Sequence, residues 1–506
     1  MNTDLDLSTL VDPSTEFSWD KLWGLFDGND ESLNIAHECL DRHDGERLAA
    51  RIARDDGSYD DYTFGELSKG AAQFAHLLEQ SGIEKGDRIG VMIEPSFQFY
   101  VSLFGAIKRG AVAVPLYTLF GPDAIRDRLD DCEAALLILG SRSDSPVEKM
   151  DYRILHFDAE LEGRLNDLPD TYEAETSSQD LAVLQYTSGT SRQLPEAVPH
   201  SHRAIVTLAR SALFAIGIAP EDRYFCPSSP AWGHGLWHGT IAPWSLGVCI
   251  GSYSGRFSID RLADALIEFR ITNFAAASTV YRMLLKSGRL PELTSLEKAS
   301  YTGEALEVEA QEAFLEATGV PVCGMYGTTE TGVILGNFPG FDDYQPRIGA
   351  LGKPLPGCQV TVLAADGEIA DVGVIGEIAI RRRGKWFGAK DLGSIDEDGY
   401  FWYTGRADDV IIAAGWTISP LEVERALLSH AQIREAAVVG APDEMKGQIV
   451  KAVLVADGDQ EGLVEELQEL VRRELSPHEY PRQIEFVEQL PRTPNGKVNR
   501  RALRPS

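Results

Sequence analysis

Positive charge is scarce in this chain. Its 47 lysines and arginines stand against 78 aspartates and glutamates, a net charge of −31, which argues against nucleic acid or an anionic membrane as a main partner. Long apolar runs are missing as well, and the first residues, MNTDLDLSTLVDPSTEF, lack a basic region followed by an apolar stretch. Neither export nor membrane spanning is therefore expected. Cysteine is sparse: Cys39, Cys132, Cys226, Cys249, Cys323 and Cys358 form no Cys-x-x-Cys pair. That excludes a zinc ribbon and a disulfide framework, fits a cytoplasmic location, and leaves these thiols as small core residues. No internal repeat or low-complexity tract is visible.

What is there suits a globular protein. With 506 residues, 43% of them hydrophobic, the chain exceeds a single core, and two or three domains are expected. Thr63 and Glu66 have capping-box spacing, and Leu67, Ala71, Phe74, Leu77 and Leu78 then recur at helical intervals up to Ser81-Gly82. Strands are expected at 88–93 and 111–117, with a helix at 97–108 between them; 259–269 (helix), 273–277 (strand) and 280–286 (helix) repeat the pattern. Such alternation predicts an α/β fold with parallel sheets flanked by helices. From about Asp342 short strands with Gly and Pro turns predict a small antiparallel, barrel-like subdomain. A last α+β unit is expected after Gly405–Asp409, with helices at 421–428 and 462–475 and strands at 436–439 and 450–455.

Tyr186–Thr190 (YTSGT) concentrates hydroxyls and backbone N–H groups in the manner of a phosphate-binding loop. With it stand, in order, GEAL (Gly303–Leu306), YGTTE (Tyr326–Glu330), DLGSIDEDGYFWYTGRADD (Asp391–Asp409), GWTISPLEVE (Gly415–Glu424) and PRTPNGKVNRRAL (Pro491–Leu503). This series resembles the adenylate-forming superfamily nearly end to end, and GWTISP and PDEMKGQ are most similar to its acyl-CoA ligases. The resemblance implies a carboxylic acid substrate, activation by ATP with magnesium to an acyl-AMP, and transfer of the acyl group to CoA. It also implies a large acyl- and adenylate-binding domain (1–405), a hinge (406–409) and a small mobile C-terminal domain (410–506).

The same resemblance assigns residues. Thr187, Ser188, Gly189 and Thr190 would hold phosphate; Gly303, Glu304, Ala305, Tyr326, Gly327 and Thr328 would surround the adenine; Asp391 would take the ribose hydroxyls with Arg406 beside it. Thr329 would donate to the α-phosphate, and Glu330 is the carboxylate the family associates with magnesium; no other metal site is expected. Asp408 would be the pivot of the hinge. Gly415 and Trp416 would flank the pantetheine arm of CoA, and Lys497 would bridge carboxylate and α-phosphate.

One motif departs from the pattern. The family continues T-S-G-T-T-G-x-P-K-G-V, whereas this chain has Arg192 for a glycine, one extra residue before Pro195, and Glu196 for the lysine. Non-glycine residues restrict the loop. At an effective dielectric near 20, a unit charge at about 4 Å contributes roughly 4 kcal/mol, so reversing it opposes binding of the outer phosphates. Thr417 stands for the usual arginine, and Ala389-Lys390 replace the threonine and glycine before Asp391. These departures resemble the non-adenylating acyl-CoA ligase of platensimycin-type diterpenoid biosynthesis. They lead to the expectation of acyl transfer from a preformed adenylate to CoA, with a separate adenylating ligase as partner. The alternatives are a complete two-step synthetase in which Arg192 replaces the lost lysine, and an inactive adenylate-binding pseudoenzyme.

The segment Ser228–Trp244 matches the family's acyl-pocket helix. Trp232, His234, Gly235 and Trp237, with Ser278 and Tyr281, are expected to line a roomy apolar pocket for a bulky hydrophobic or polycyclic acid, with an aryl acid as the alternative, the glycines at 233, 235 and 239 leaving volume.

Overall fold

The computed structural model describes residues 17–140, 147, 151–186, 197–328, 331–407, 411–413, 416–443, 447–460, 462–475, 479–492 and 498–504. The chain divides into two compact units, Met1–Gly357 and Cys358–Ser506.

Two sheets build the first unit. In one, Ile154–His156, Leu136–Leu139, Arg88–Met92, Val112–Pro115 and Leu181–Tyr186 run parallel side by side, and Ala197–Ser201 closes the edge antiparallel to Leu181–Tyr186. In the other, Leu48–Arg54, Ile250–Ser254, Tyr224–Phe225, Asn273–Ala277, Lys298–Thr302 and Val322–Thr328 form the parallel centre. Val112–Pro115 and Leu136–Leu139 are apolar and buried along their whole length, as inner strands of a parallel sheet are. The expected capping box is present: Glu66 N–H donates to Thr63 Oγ1 (3.2 Å) and Thr63 N–H to Glu66 Oε2 (2.8 Å), starting the helix Phe64–Gln80. It lies against Phe97–Arg109 so closely that a Cβ on Gly70 would stand 2.6 Å from Val101 and one on Gly105 2.8 Å from Phe74.

Buried charge in this unit is compensated at two conspicuous places. Lys298 Nζ meets Asp222 Oδ2 at 2.7 Å and also donates to the Gly217 carbonyl, while Asn273 and Thr272 donate to the same carboxylate. Lys108, 2% exposed along its side chain, pairs with Asp41. The six cysteines are free, and four are buried, in keeping with the core role expected of them.

In the second unit Val360–Leu363, Gly376–Arg382, Lys385–Ile395 and Phe401–Arg406 pair consecutively and antiparallel, the small β-subdomain the Gly and Pro turns predicted. Arg383 and Gly384 make the two-residue turn between the middle strands, both with positive φ (47° and 78°), the twist that suits a tight hairpin. Further on, Ile433–Asp443, Gly447–Ala456 and Gln483–Phe486 form a sheet covered by Pro420–Leu428 and Leu463–Glu474 through Val423, Leu427, Leu467 and Val471. The first two strands are longer than the apolar runs suggested, because Ile433 and Glu435 at one end and Gly440–Asp443 with Gly447–Ile449 at the other also pair. No helix among the described residues is long and apolar enough to cross a membrane.

Candidate active site

The expected acyl-pocket helix is a π-helical segment, His234–Ile241, a form enriched where function demands odd side-chain directions. Its glycines do not leave open volume. A Cβ on Gly235 would lie 2.2 Å from the Ser229 carbonyl oxygen, one on Gly239 3.0 Å from Cys226 Sγ, and one on Gly233 3.3 Å from Gln185 Oε1. Close backbone approach, not a cavity, is what these positions require. His234 is buried, its Nδ1 3.0 Å from Ser228 Oγ and its Nε2 without a partner. Burial, reinforced by His238, pushes its pKa down to about 3, so the ring is neutral. Trp232 meets His234 edge-on at 5.5 Å and backs onto Gly303, where a Cβ would stand 3.3 Å from the indole.

Trp237 has partners on two strands. Its Nε1 donates to Gln185 Oε1 at 2.9 Å, and His200 lies 4.6 Å from its ring. Gln185 and His200 flank, on adjacent antiparallel strands, the stretch 187–196 that was read as the phosphate loop. Trp237, expected to line the acyl pocket, is thus held by the strands that precede and follow that stretch. The sequence does not mark Gln185 and His200: the burial of Gln185 and its bond to Trp237, 52 residues away, exist only in the fold.

Gly303, at φ 98°, starts the segment assigned to the adenine. Here too a residue unmarked in the sequence does the holding. Arg282 binds Glu304 Oε1 (2.6 Å), the Ala305 carbonyl (3.1 Å) and both oxygens of Glu307. Ser278 Oγ donates to the Glu304 carbonyl at 2.8 Å, so it supports this segment from beneath. Tyr281 is fully buried, and its hydroxyl faces the Ser300 (2.7 Å) and Phe274 (3.1 Å) carbonyls. That corrects the expectation of a pocket-lining tyrosine, since no surface of it is left to meet a substrate. Tyr326, Gly327 and Thr328 end the strand Val322–Thr328; Thr328 N–H donates to Thr331 Oγ1 at 2.9 Å, and a Cβ on Gly327 would collide with the Gly332 carbonyl.

In the second unit Asp391 and Arg406 are cross-strand partners on Lys385–Ile395 and Phe401–Arg406, 3.4 Å apart as an ion pair, with the carboxylate 7% exposed. Lys390 explains why the family places glycine before this aspartate: it sits at φ 60°, a conformation that costs most L-residues free energy. Two hydrogen bonds hold it there, from Lys390 N–H to Glu377 Oε1 and from Ala407 N–H to the Lys390 carbonyl, both 2.9 Å. Trp416 pairs through its backbone with Ala413. Thr187, Ser188, Gly189, Thr190, Thr329, Glu330, Asp408, Gly415 and Lys497 lie outside the described residues. Among the described residues no cluster of His, Cys, Asp or Glu could hold a metal ion.

The AMP-binding enzyme family matches residues 41–386, and the C-terminal domain of AMP-binding enzymes matches 422–497. A mitochondrial acyl-coenzyme A synthetase of Rattus norvegicus, ACSM3, is 30% identical over 94% of this chain and 90% of its own length. The acetyl-coenzyme A synthetase of Bacillus subtilis is likewise 30% identical, over 93% of this chain and 90% of its own. Among solved structures, the anthranilate CoA ligase AuaEII in complex with anthranoyl-AMP superposes with a TM-score of 0.82 at 26% identity, covering 94% and 97% of the two chains. The chain belongs to the AMP-binding, adenylate-forming enzymes, in their acyl-CoA synthetase and ligase group.

Proposed function

We propose that this protein is a complete acyl-CoA synthetase, joining a carboxylic acid to AMP at the expense of ATP and then passing the acyl group to CoA. The observation that carries this reading is that both family domains are present in one chain, 41–386 and 422–497, and that relatives similar over nine-tenths of its length are named as synthetases. In this reading Tyr326 and Gly303–Ala305 take the adenine, Asp391 the ribose hydroxyls, and Lys497 the α-phosphate and the attacking carboxylate. The carboxylate oxygen attacks the α-phosphorus and pyrophosphate leaves; the CoA thiol then attacks the acyl carbon and AMP leaves. Positioning supplies much of the rate in the second step, because the adenylate is already a mixed anhydride. Magnesium would neutralise charge on the phosphates, with Glu330 as the candidate protein ligand. Alternation of the C-terminal domain about Asp408 would separate the two steps.

The departures at Arg192 and Glu196 favour a second reading, transfer from a supplied acyl-adenylate only, with adenylation done by a separate ligase. One assay with two arms separates them. Acyl-CoA formed from ATP, CoA and an acid from a panel of alkyl, aryl and polycyclic acids supports the complete synthetase. Acyl-CoA formed from synthetic acyl-adenylate, with none from ATP, supports the second reading. On the acyl side the neutral His234 and the tryptophans Trp232 and Trp237 favour an uncharged, hydrophobic or aromatic acyl group.

A further inference from the structure

The β-subdomain of the second unit gathers opposite charges at its two ends. At one end of the strand Gly376–Arg382, the turn into Lys385–Ile395 exposes Arg381, Arg382, Arg383 and Lys385, four cations in five residues of a chain whose net charge is −31. Arg382 and Lys385 stand directly opposite each other across the strands, a like-charge pairing that disfavours a hairpin. Arg381 rests on Trp386, its guanidinium carbon 5.8 Å from the ring centroid. Neither it nor Arg383 nor Lys385 has a carboxylate partner among the described residues. At the other end the loop 364–375 exposes Asp366, Glu368 and Asp371. Gly373 N–H donates to the Ile395 carbonyl at 2.8 Å, which brings the turn bearing the exposed Glu397 alongside. These four acids have no cationic partner among the described residues.

The ends act separately. Seven residues of strand lie between them, about 23 Å at the usual rise, whereas charges in physiological salt are screened beyond about 8 Å. The same loop and hairpin also expose apolar surface. Among the described residues eleven large hydrophobic side chains are well exposed, and five of them, Ile369, Val372, Val374, Ile375 and Phe387, fall here. Such a concentration, rimmed by charge, marks a surface that another molecule covers. Val360–Leu363 is the last strand of its sheet, and Ala370 N–H already donates to the Val362 carbonyl on its outer side. Contact is therefore made by side chains and not by extending the ladder.

A partner of one sign would meet one end and be repelled by the other. The partner that fits presents acid opposite the basic turn and base opposite the acidic loop, at the same spacing. A second copy of this chain, turned antiparallel, does both, because a two-fold interface uses one self-complementary patch twice. We propose that this edge of the β-subdomain is an interface between two copies of the chain. The basic turn 381–385 of each copy lies against the loop 364–375 and Glu397 of the other, and the five apolar side chains are covered between them. The proposal goes beyond the chemistry of the proposed function and does not depend on it.

The test is sedimentation velocity of the full chain at physiological salt across the micromolar range. The native chain is expected to pass from the mass of one chain to the mass of two. Arg383→Glu with Lys385→Glu, and separately Glu368→Lys with Asp371→Lys, should each weaken dimerisation at least about tenfold. Mixed in equal amounts, the two variants should dimerise within about threefold of the native affinity. The mixture restores opposite charge at one contact and leaves the native charges at the other. All four side chains are exposed, so the thermal midpoints should stay near the native one; should either variant fail to fold, Arg383→Gln with Lys385→Gln carries the weakening. A native chain that stays monomeric, a dimer that both variants leave intact, or variants that remain monomeric when mixed would each overturn the proposal. Binding of a monomeric native chain to phosphatidylserine vesicles, lost in Arg383→Glu with Lys385→Glu, would overturn it in favour of a membrane surface.

Discussion

Two buried cations of the same unit, Lys298 and Arg128, are treated in opposite ways. Lys298 has a carboxylate at 2.7 Å, a backbone carbonyl at the same distance, and Asn273 and Thr272 completing the hydrogen bonds of its partner Asp222. Arg128 has one carbonyl, two aromatic faces and an idle Nε. The difference teaches that burial of a charge does not by itself disclose its purpose; the state of its partners does. A satisfied pair spends its interactions on the fold, whereas the Arg128 guanidinium is steadied by two rings and one carbonyl and so gives the fold less.

The comparison can be broken most severely at Asp222. Replacing it by alanine strands Lys298, and such uncompensated charges cost about 3–5 kcal/mol; urea unfolding should show a fall of that size. Removing the charge at Arg128 strands nothing, so the Arg128→Met protein should unfold no more readily than the native one. A loss of several kcal/mol there would show the two cations to be alike.

Acid sharpens the contrast between buried charged and buried neutral groups. His202, whose Nδ1 accepts from Ile35 N–H at 3.0 Å, has its pKa lowered by burial to about 4, and His234 to about 3. Both lie below the ordinary value of 6.5, so the unfolded chain binds protons that the folded chain refuses. Stability is then fully present above about pH 6.5 and falls with decreasing pH, by up to about 1.4 kcal/mol per pH unit for each histidine, until the folded values are reached. Denaturant titrations at pH 7, 6 and 5 should follow this slope, and His202→Gln should flatten it.

Smaller effects belong to Lys390 and Ala124. Lys390→Gly relieves a left-handed backbone and should raise stability by about 0.5–1 kcal/mol, visible as a higher midpoint without a change in slope. Ala124→Asp puts a carboxylate one helical turn before Arg128. It should add about 0.2–0.5 kcal/mol, turning Arg128 toward the condition of Lys298.

Much of the fold was legible because its signals are local. Thr63 with Glu66 marked a helix start, and Asn273–Ala277 is the strand that its apolar run predicted. The ordered motifs pointed to the family because they are contiguous stretches. What stayed hidden depends on neighbours distant along the chain: Arg282 gripping Glu304 and Glu307 from 22 and 25 residues away, or Gln185 reaching Trp237 across 52. Glycine was misleading for the same reason. At 233, 235 and 239 a missing side chain reads as space, yet the carbonyls of Ser228 and Ser229, the Cys226 thiol and the Gln185 amide occupy it. Tyr281 was misplaced because a tyrosine that faces backbone carbonyls and one that lines a pocket look the same in one dimension.

The most direct measurement of the account is isotope exchange between labelled pyrophosphate and ATP, catalysed by the unmodified full-length protein with magnesium and a series of hydrophobic acids. A complete synthetase predicts exchange that depends on the acid. Absence of exchange with every acid, from a preparation that still converts a supplied acyl-adenylate and CoA into the thioester, would contradict it.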